Sequence, residues 1–153
     1  MPTNYMAGQE IIAMYPIVHP DPRLLLIRTQ GIEVYKLKDG VMYKYIEMQD
    51  KIQACSFYAD HKFGSLIAAY MPASGCVDIY EPVCLIKLRS VRVIQSAEEW
   101  VTAVDVENGD GLLVGYRSGR VRFYDLKIAK STMEFGGTEA MSGVTHMVSI
   151  PPA

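Results

Sequence analysis

Three histidines, three cysteines and one adjacent pair of carboxylates are the side chains here best suited to bond-making chemistry. His19, His61 and His146 are separated by 42 and 85 residues and fall in a loop, a turn and a strand of three different sequence units. That spacing makes neither a metal cluster nor a triad, so each reads as a solvated or locally hydrogen-bonded histidine. Cys55, Cys76 and Cys84 are odd in number and contain no CxxC pair. They fit reduced, mostly buried thiols better than a disulfide framework or a zinc site. Glu98-Glu99 has the chemistry for acid–base work, but neighbouring carboxylates on an exposed connection read as a solvated loop. No GxSxG, HExxH, GxxxxGK[ST] or GxGxxG occurs, and Gly109-Asp110-Gly111 is a hairpin turn in its context. The sequence therefore predicts no enzyme, no catalytic residue, no metal site and no cofactor.

Composition narrows the classes further. Of 153 residues half are apolar and 21% charged, which excludes disorder. No apolar run approaches the roughly 18–20 residues of a membrane span. Fifteen basic residues against 17 acidic ones give a formal charge of −2. Without a broad basic field, binding to nucleic acid by phosphate neutralisation is not expected. The start, Met-Pro-Thr-Asn-Tyr-Met, carries no export signal, so a cytoplasmic protein is expected, with the nucleus as the other compartment.

The elements read from alternation, not from helical spacing. Leu24-Leu25-Leu26-Ile27 meets a turn at Thr29-Gln30-Gly31, and Ile32-Glu33-Val34-Tyr35-Lys36-Leu37 then alternates at period two. Residues 66–70 run through Pro72-Ala73-Ser74-Gly75 into 77–81 in the same way, and 112–116 run through Arg117-Ser118-Gly119 into 121–126. The closing tyrosines Tyr35, Tyr80 and Tyr124 stand 45 and 44 residues apart, a period typical of four-stranded propeller blades. Each hairpin has a strand before it (11–18, 52–58, 101–106) and one after it (41–48, 85–94, 131–135). A further leading strand is expected at 144–150. The turn glycines Gly75 and Gly119 are expected at positive φ, and the three tyrosines in the core.

The stretch 101–127, with its Asn-Gly-Asp-Gly turn, Leu-Leu-Val-Gly-Tyr, Arg-Ser-Gly-Arg and Val-Arg-Phe-Tyr-Asp-Leu, resembles a WD40 repeat. Tyr124-Asp125 stands where that family's Trp-Asp ends the third strand; Tyr80-Glu81 is a near match and Tyr35-Lys36 keeps only the aromatic residue. No Gly-His opens a repeat, and the family's Asp-His-Ser/Thr-Trp tetrad cannot be assembled. The resemblance implies an all-β fold of WD40-like β-propeller blades, about three four-stranded antiparallel sheets plus one extra strand, in an incomplete ring. The blades would occupy about 10–48, 51–95 and 100–136, with the extra strand at about 144–150.

The resemblance also implies where to seek a partner. In WD40 proteins the turn between second and third strands and the connection to the next blade share one face, commonly the recognition face. Mapped here, that face offers Arg28, Gln30, Tyr116, Arg117 and Trp100 as protein-binding residues, Tyr, Trp and Arg being the types enriched at hot spots. Val144 and Met147 on the extra strand join them, because about three blades do not close a ring that ordinarily takes four to eight. The expected function is a non-enzymatic protein–protein interaction module, a scaffold or subunit of a larger complex whose propeller is completed by more chain, by other protein chains or by self-association. The alternatives are a small-molecule or nucleic-acid binder using a basic rim of Arg28, Arg117, Arg120 and Arg122, and a closed β-barrel with a ligand cavity.

Overall fold

A computed structural model describes residues 9–18, 21–59 and 64–136. The described chain is all-β, twelve strands in three separate four-stranded antiparallel sheets. The first holds β1 (Ile11–Ile17), β2 (Arg23–Arg28), β3 (Gly31–Lys36) and β4 (Met42–Glu47); the second β5 (Ala54–Tyr58), β6 (Leu66–Met71), β7 (Cys76–Glu81) and β8 (Ile86–Arg92). The third holds β9 (Val101–Glu107), β10 (Gly111–Tyr116), β11 (Val121–Asp125) and β12 (Lys130–Phe135). Each sheet is a simple meander in chain order, as blades require, and the closed barrel is excluded for these residues. No helix among them is long and apolar enough to cross a membrane. His19, His61, Val144 and Met147, like His146 and the strand expected at 144–150, lie outside the described residues.

Alternation sends each strand's residues to opposite sheet faces, and here both faces of the middle sheet are covered. Ile67, Ala69 and Met71 of β6 pack with Leu25, Ile27, Ile32 and Val34 of the first sheet. Ala68 and Tyr70, between them in sequence, pack with Leu112, Val114 and Tyr124 of the third. The strand β6 is therefore apolar throughout, and the outer strands β4, β8 and β12 carry most of the strands' exposed residues.

The turns repeat with the strands. Gly75 and Gly119 have φ of +69° and +91°, as the hairpins demand. Between third and fourth strands a left-handed residue recurs as Gly40, Leu85 and Ala129, at the 45- and 44-residue spacing of the tyrosines. The strained L-residues at the second and third positions mark a turn fixed by the repeat geometry and not by local preference.

Two sheet faces stay uncovered among the described residues. On the third sheet, register pairs Leu113 with Phe123, Phe123 with Met133 and Val121 with Phe135, so these side chains share the side away from the second sheet. Met133 is 52% exposed and Phe135 47%. On the first sheet the corresponding side carries Leu24 paired with Tyr35 and Leu26 paired with Glu33, rimmed by exposed Met14 and Tyr45. Tyr35 is therefore only half-buried, whereas Tyr80 and Tyr124 are buried. The expectation of three core tyrosines is corrected for Tyr35, because no sheet among the described residues covers that side of the first sheet. Mostly buried thiols need a similar correction: all three cysteines are free, Cys55 and Cys76 half-buried, but Cys84 is exposed.

Candidate protein-binding cleft

The connection from β8 to β9 and the turn from β10 to β11 meet at one end of the third sheet. Arg117 donates its backbone N–H to the Trp100 carbonyl at 2.8 Å, and its guanidinium lies over the Trp100 ring, 4.7 Å from the centroid. The turn itself closes with the Gly119 N–H on the Tyr116 carbonyl at 2.9 Å. Between the connection and the turn lies an open cleft of about 620 Å³, lined by Ser96, Glu98, Trp100, Arg117, Ser118 and Arg120, with Glu99, Tyr116 and Arg122 at its base.

The base is a chain of polar side chains satisfied inside the protein. Arg122 pairs with Glu99 at 2.5 Å, reaches Glu134 at 3.7 Å, donates to the Tyr116 hydroxyl at 3.3 Å and lies over the Tyr116 ring. The Tyr116 hydroxyl donates to the Val93 carbonyl just beyond β8 at 2.6 Å, and the Tyr124 hydroxyl, 3.0 Å from the Tyr116 oxygen and 3.3 Å from the same carbonyl, has one proton to give to either. Glu99 also accepts the Gln95 and Ser96 amides. Burial opposes the Glu99 carboxylate, yet the Arg122 bond and charge with the two amides hold it below the usual carboxylate range. Burial also opposes the Arg122 charge, but its bonds to Glu99, Tyr124 and Tyr116 raise its pKa above the ordinary arginine value. Burial, reinforced by Tyr124, pushes the Tyr116 phenol up.

Of the residues expected to bind a partner, the structure thus brings together Trp100, Tyr116 and Arg117. Trp100 is 48% exposed and Arg117 is exposed, whereas Tyr116 is buried and supports the cleft from beneath. Arg28 and Gln30 belong to the first sheet and do not line this cleft. Arg28 is tied to Glu33 at 2.6 Å and to the Gln9 carbonyl, and Gln30 bonds the Gln49 carbonyl. The reading of Glu98-Glu99 as a solvated loop is corrected for Glu99, whose side chain is only 16% exposed. Of the four arginines of the basic rim, Arg28 is paired with Glu33, Arg120 with Glu134 and Arg122 with Glu99, which leaves Arg117 without a carboxylate among the described residues.

Sequence reasoning missed the charge two residues before each tyrosine: Glu33, Asp78 and Arg122, spaced 45 and 44 residues apart. Each is buried, and each bonds its strand's tyrosine or the tyrosine beside it. Tyr35 donates to Glu33 at 3.2 Å, Tyr80 to Asp78 at 3.5 Å, and Arg122 to Tyr116. The repeat period applied to polar positions as well as aromatic ones contains that signal.

No protein-family description matches the chain, and no curated protein matches it in sequence. Solved structures do match in shape. One is Sqt1 of Saccharomyces cerevisiae, with a TM-score of 0.68 at 15% identity, covering 92% of this chain and 38% of that one. Another is a chain of a mitotic checkpoint complex, with a TM-score of 0.65 at 12% identity, covering 91% of this chain and 40% of that one. The chain thus spans about two fifths of the length of each. Three meandering four-stranded sheets, packed face to face in chain order and superposing on these structures, make the fold that of WD40-like β-propeller blades.

Proposed function

We propose that the chain is a non-enzymatic protein-interaction unit, a run of propeller blades serving as scaffold or subunit in a larger complex. The observation that carries this reading is the uncovered side of the third sheet, where Leu113, Val121, Phe123, Met133 and Phe135 form an apolar face. Its counterparts on the other two sheets, Ile32 with Val34 and Val77 with Ile79, are each packed under the next sheet. An apolar sheet face of this kind marks an interaction surface. The likeness to a chain within a checkpoint complex supports protein partners over other ligands. Val144 and Met147 are kept as proposed contact residues, and the further blades come from more chain, from another protein or from self-association. The cytoplasm is the proposed place of action, with the nucleus second.

The test is the mass of the purified chain by light scattering, alone and when isolated from its native source. Association above 17.1 kDa is expected. A monodisperse monomer that unfolds cooperatively and is recovered alone would overturn the reading.

A further inference from the structure

We infer that the cleft beside Trp100 takes a short extended peptide presenting one carboxylate next to an apolar side chain. The inference shares the protein-binding reading above but uses a different surface from the uncovered sheet face. A guanidinium stacked on an aromatic ring spends its π-face on that contact and keeps its in-plane N–H donors. Arg117 lies over the Trp100 ring, 4.7 Å from its centroid, is exposed, and has no carboxylate partner among the described residues. The ring and the Arg117 backbone bond to the Trp100 carbonyl fix the fork in place, which lowers the entropy cost of a two-pronged carboxylate bond. The exposed part of the indole offers apolar surface to the residue beside that carboxylate.

The remaining charges limit the ligand to a single negative group. Arg120 and Arg122 are matched by Glu134 and Glu99, and Glu98 lines the cleft without a cation partner among the described residues. A polyanion such as nucleic acid would meet Glu98 and one unmatched arginine, a poor field for several phosphates. Ser96 and Ser118 add hydroxyls able to bond a peptide backbone. The equivalent turns of the first two sheets have no arginine stacked on an aromatic ring: there Gln30 bonds Gln49, and Ser74 bonds the Met71 carbonyl.

The experiment uses the full chain and its sole tryptophan, whose fluorescence reports occupancy directly. The probes are synthetic peptides pairing an acidic, basic or neutral residue with an aromatic, aliphatic or polar neighbour, and an oligothymidylate. Acidic–apolar peptides should bind and perturb the fluorescence. Arg117→Ala should weaken them by at least about tenfold and Arg117→Lys by less, the ammonium keeping charge but not the stacked fork. Unfolding midpoints of both variants should match wild type. The inference is overturned if no peptide binds, if binding ignores the acidic residue or survives Arg117→Ala, or if the oligothymidylate competes with a steep salt dependence. Those failures leave the light-scattering result untouched, so the two readings fail separately.

Discussion

Arg122 and Glu99 meet at 2.5 Å, joining the third strand of the third sheet to the connection that enters that sheet. Their side chains are 10% and 16% exposed, so each charge depends on the other. A lone buried charge costs more than the pair contributes. Arg122→Ala should therefore destabilise by about 2–4 kcal/mol. Adding Glu99→Gln should cost less than the sum of the two single changes. Urea unfolding of the four proteins measures this, and strict additivity would show that the contact does not form.

The same pair gives the fold a dependence on acid. Glu99 titrates lower in the folded chain than in the unfolded one. Its contribution is then complete above the ordinary carboxylate value of roughly 4.3 and is lost as the pH falls through the folded value. The stability gap between wild type and Glu99→Gln should narrow on going from neutral pH to strong acid. A gap constant across that range contradicts the assignment.

Tyr124 and Tyr35 occupy the same repeat position in different surroundings. Tyr124 is 1% exposed between the second and third sheets, and Tyr124→Ala should cost about 3–5 kcal/mol. Tyr35 is half-buried on an uncovered face, and Tyr35→Ala should cost less than half as much in the isolated chain. Equal costs would mean that the first sheet is covered after all.

That contrast also marks how far the fold could be read from sequence. The hairpins were legible because alternation and turn glycines are local: Leu24 to Leu37 already carries both strands and the turn between them. The blade period was legible because the tyrosines are large and regularly spaced. The difference between Tyr35 and Tyr124 was not, since it depends on which neighbouring sheet is present. Ile52 shows a similar limit. It reads as the start of a strand, but it precedes β5, is buried beside the first sheet and donates its N–H to the Thr29 carbonyl. Of the site, Trp100 and Arg117 were visible as residue types at a turn and a connection. The Glu99–Arg122 bond was not, because 23 residues separate two charges that only the sheet's meander brings together.

Gly119 turns the chain between the two strands that carry Tyr116 and Arg122. With φ at +91° it sits where a β-branched residue is strained, so Gly119→Val should destabilise by about 1–3 kcal/mol. The turn also holds Arg117 on Trp100, and the fluorescence of Trp100 should change in the folded variant. A wild-type unfolding midpoint for Gly119→Val would remove the hairpin assignment.

The uncovered side of the third sheet makes the last prediction. Met133 and Phe135 are about half exposed on the outer strand, and Phe123 lies inward beside Met133 and Leu113. Covering even a few hundred Å² of such surface at roughly 25 cal/mol per Å² supplies several kcal/mol toward association. A charge at Met133 should oppose that covering while costing the isolated chain little, because the side chain is already half in water. Met133→Asp should therefore reduce association of the purified chain with little change in its unfolding midpoint. Phe123→Asp, closer to the sheet's interior, should lower both. If Met133→Asp associates as wild type does, contact with other chains runs through another surface, with the first sheet's face of Leu24, Leu26 and Tyr35 next to be tested.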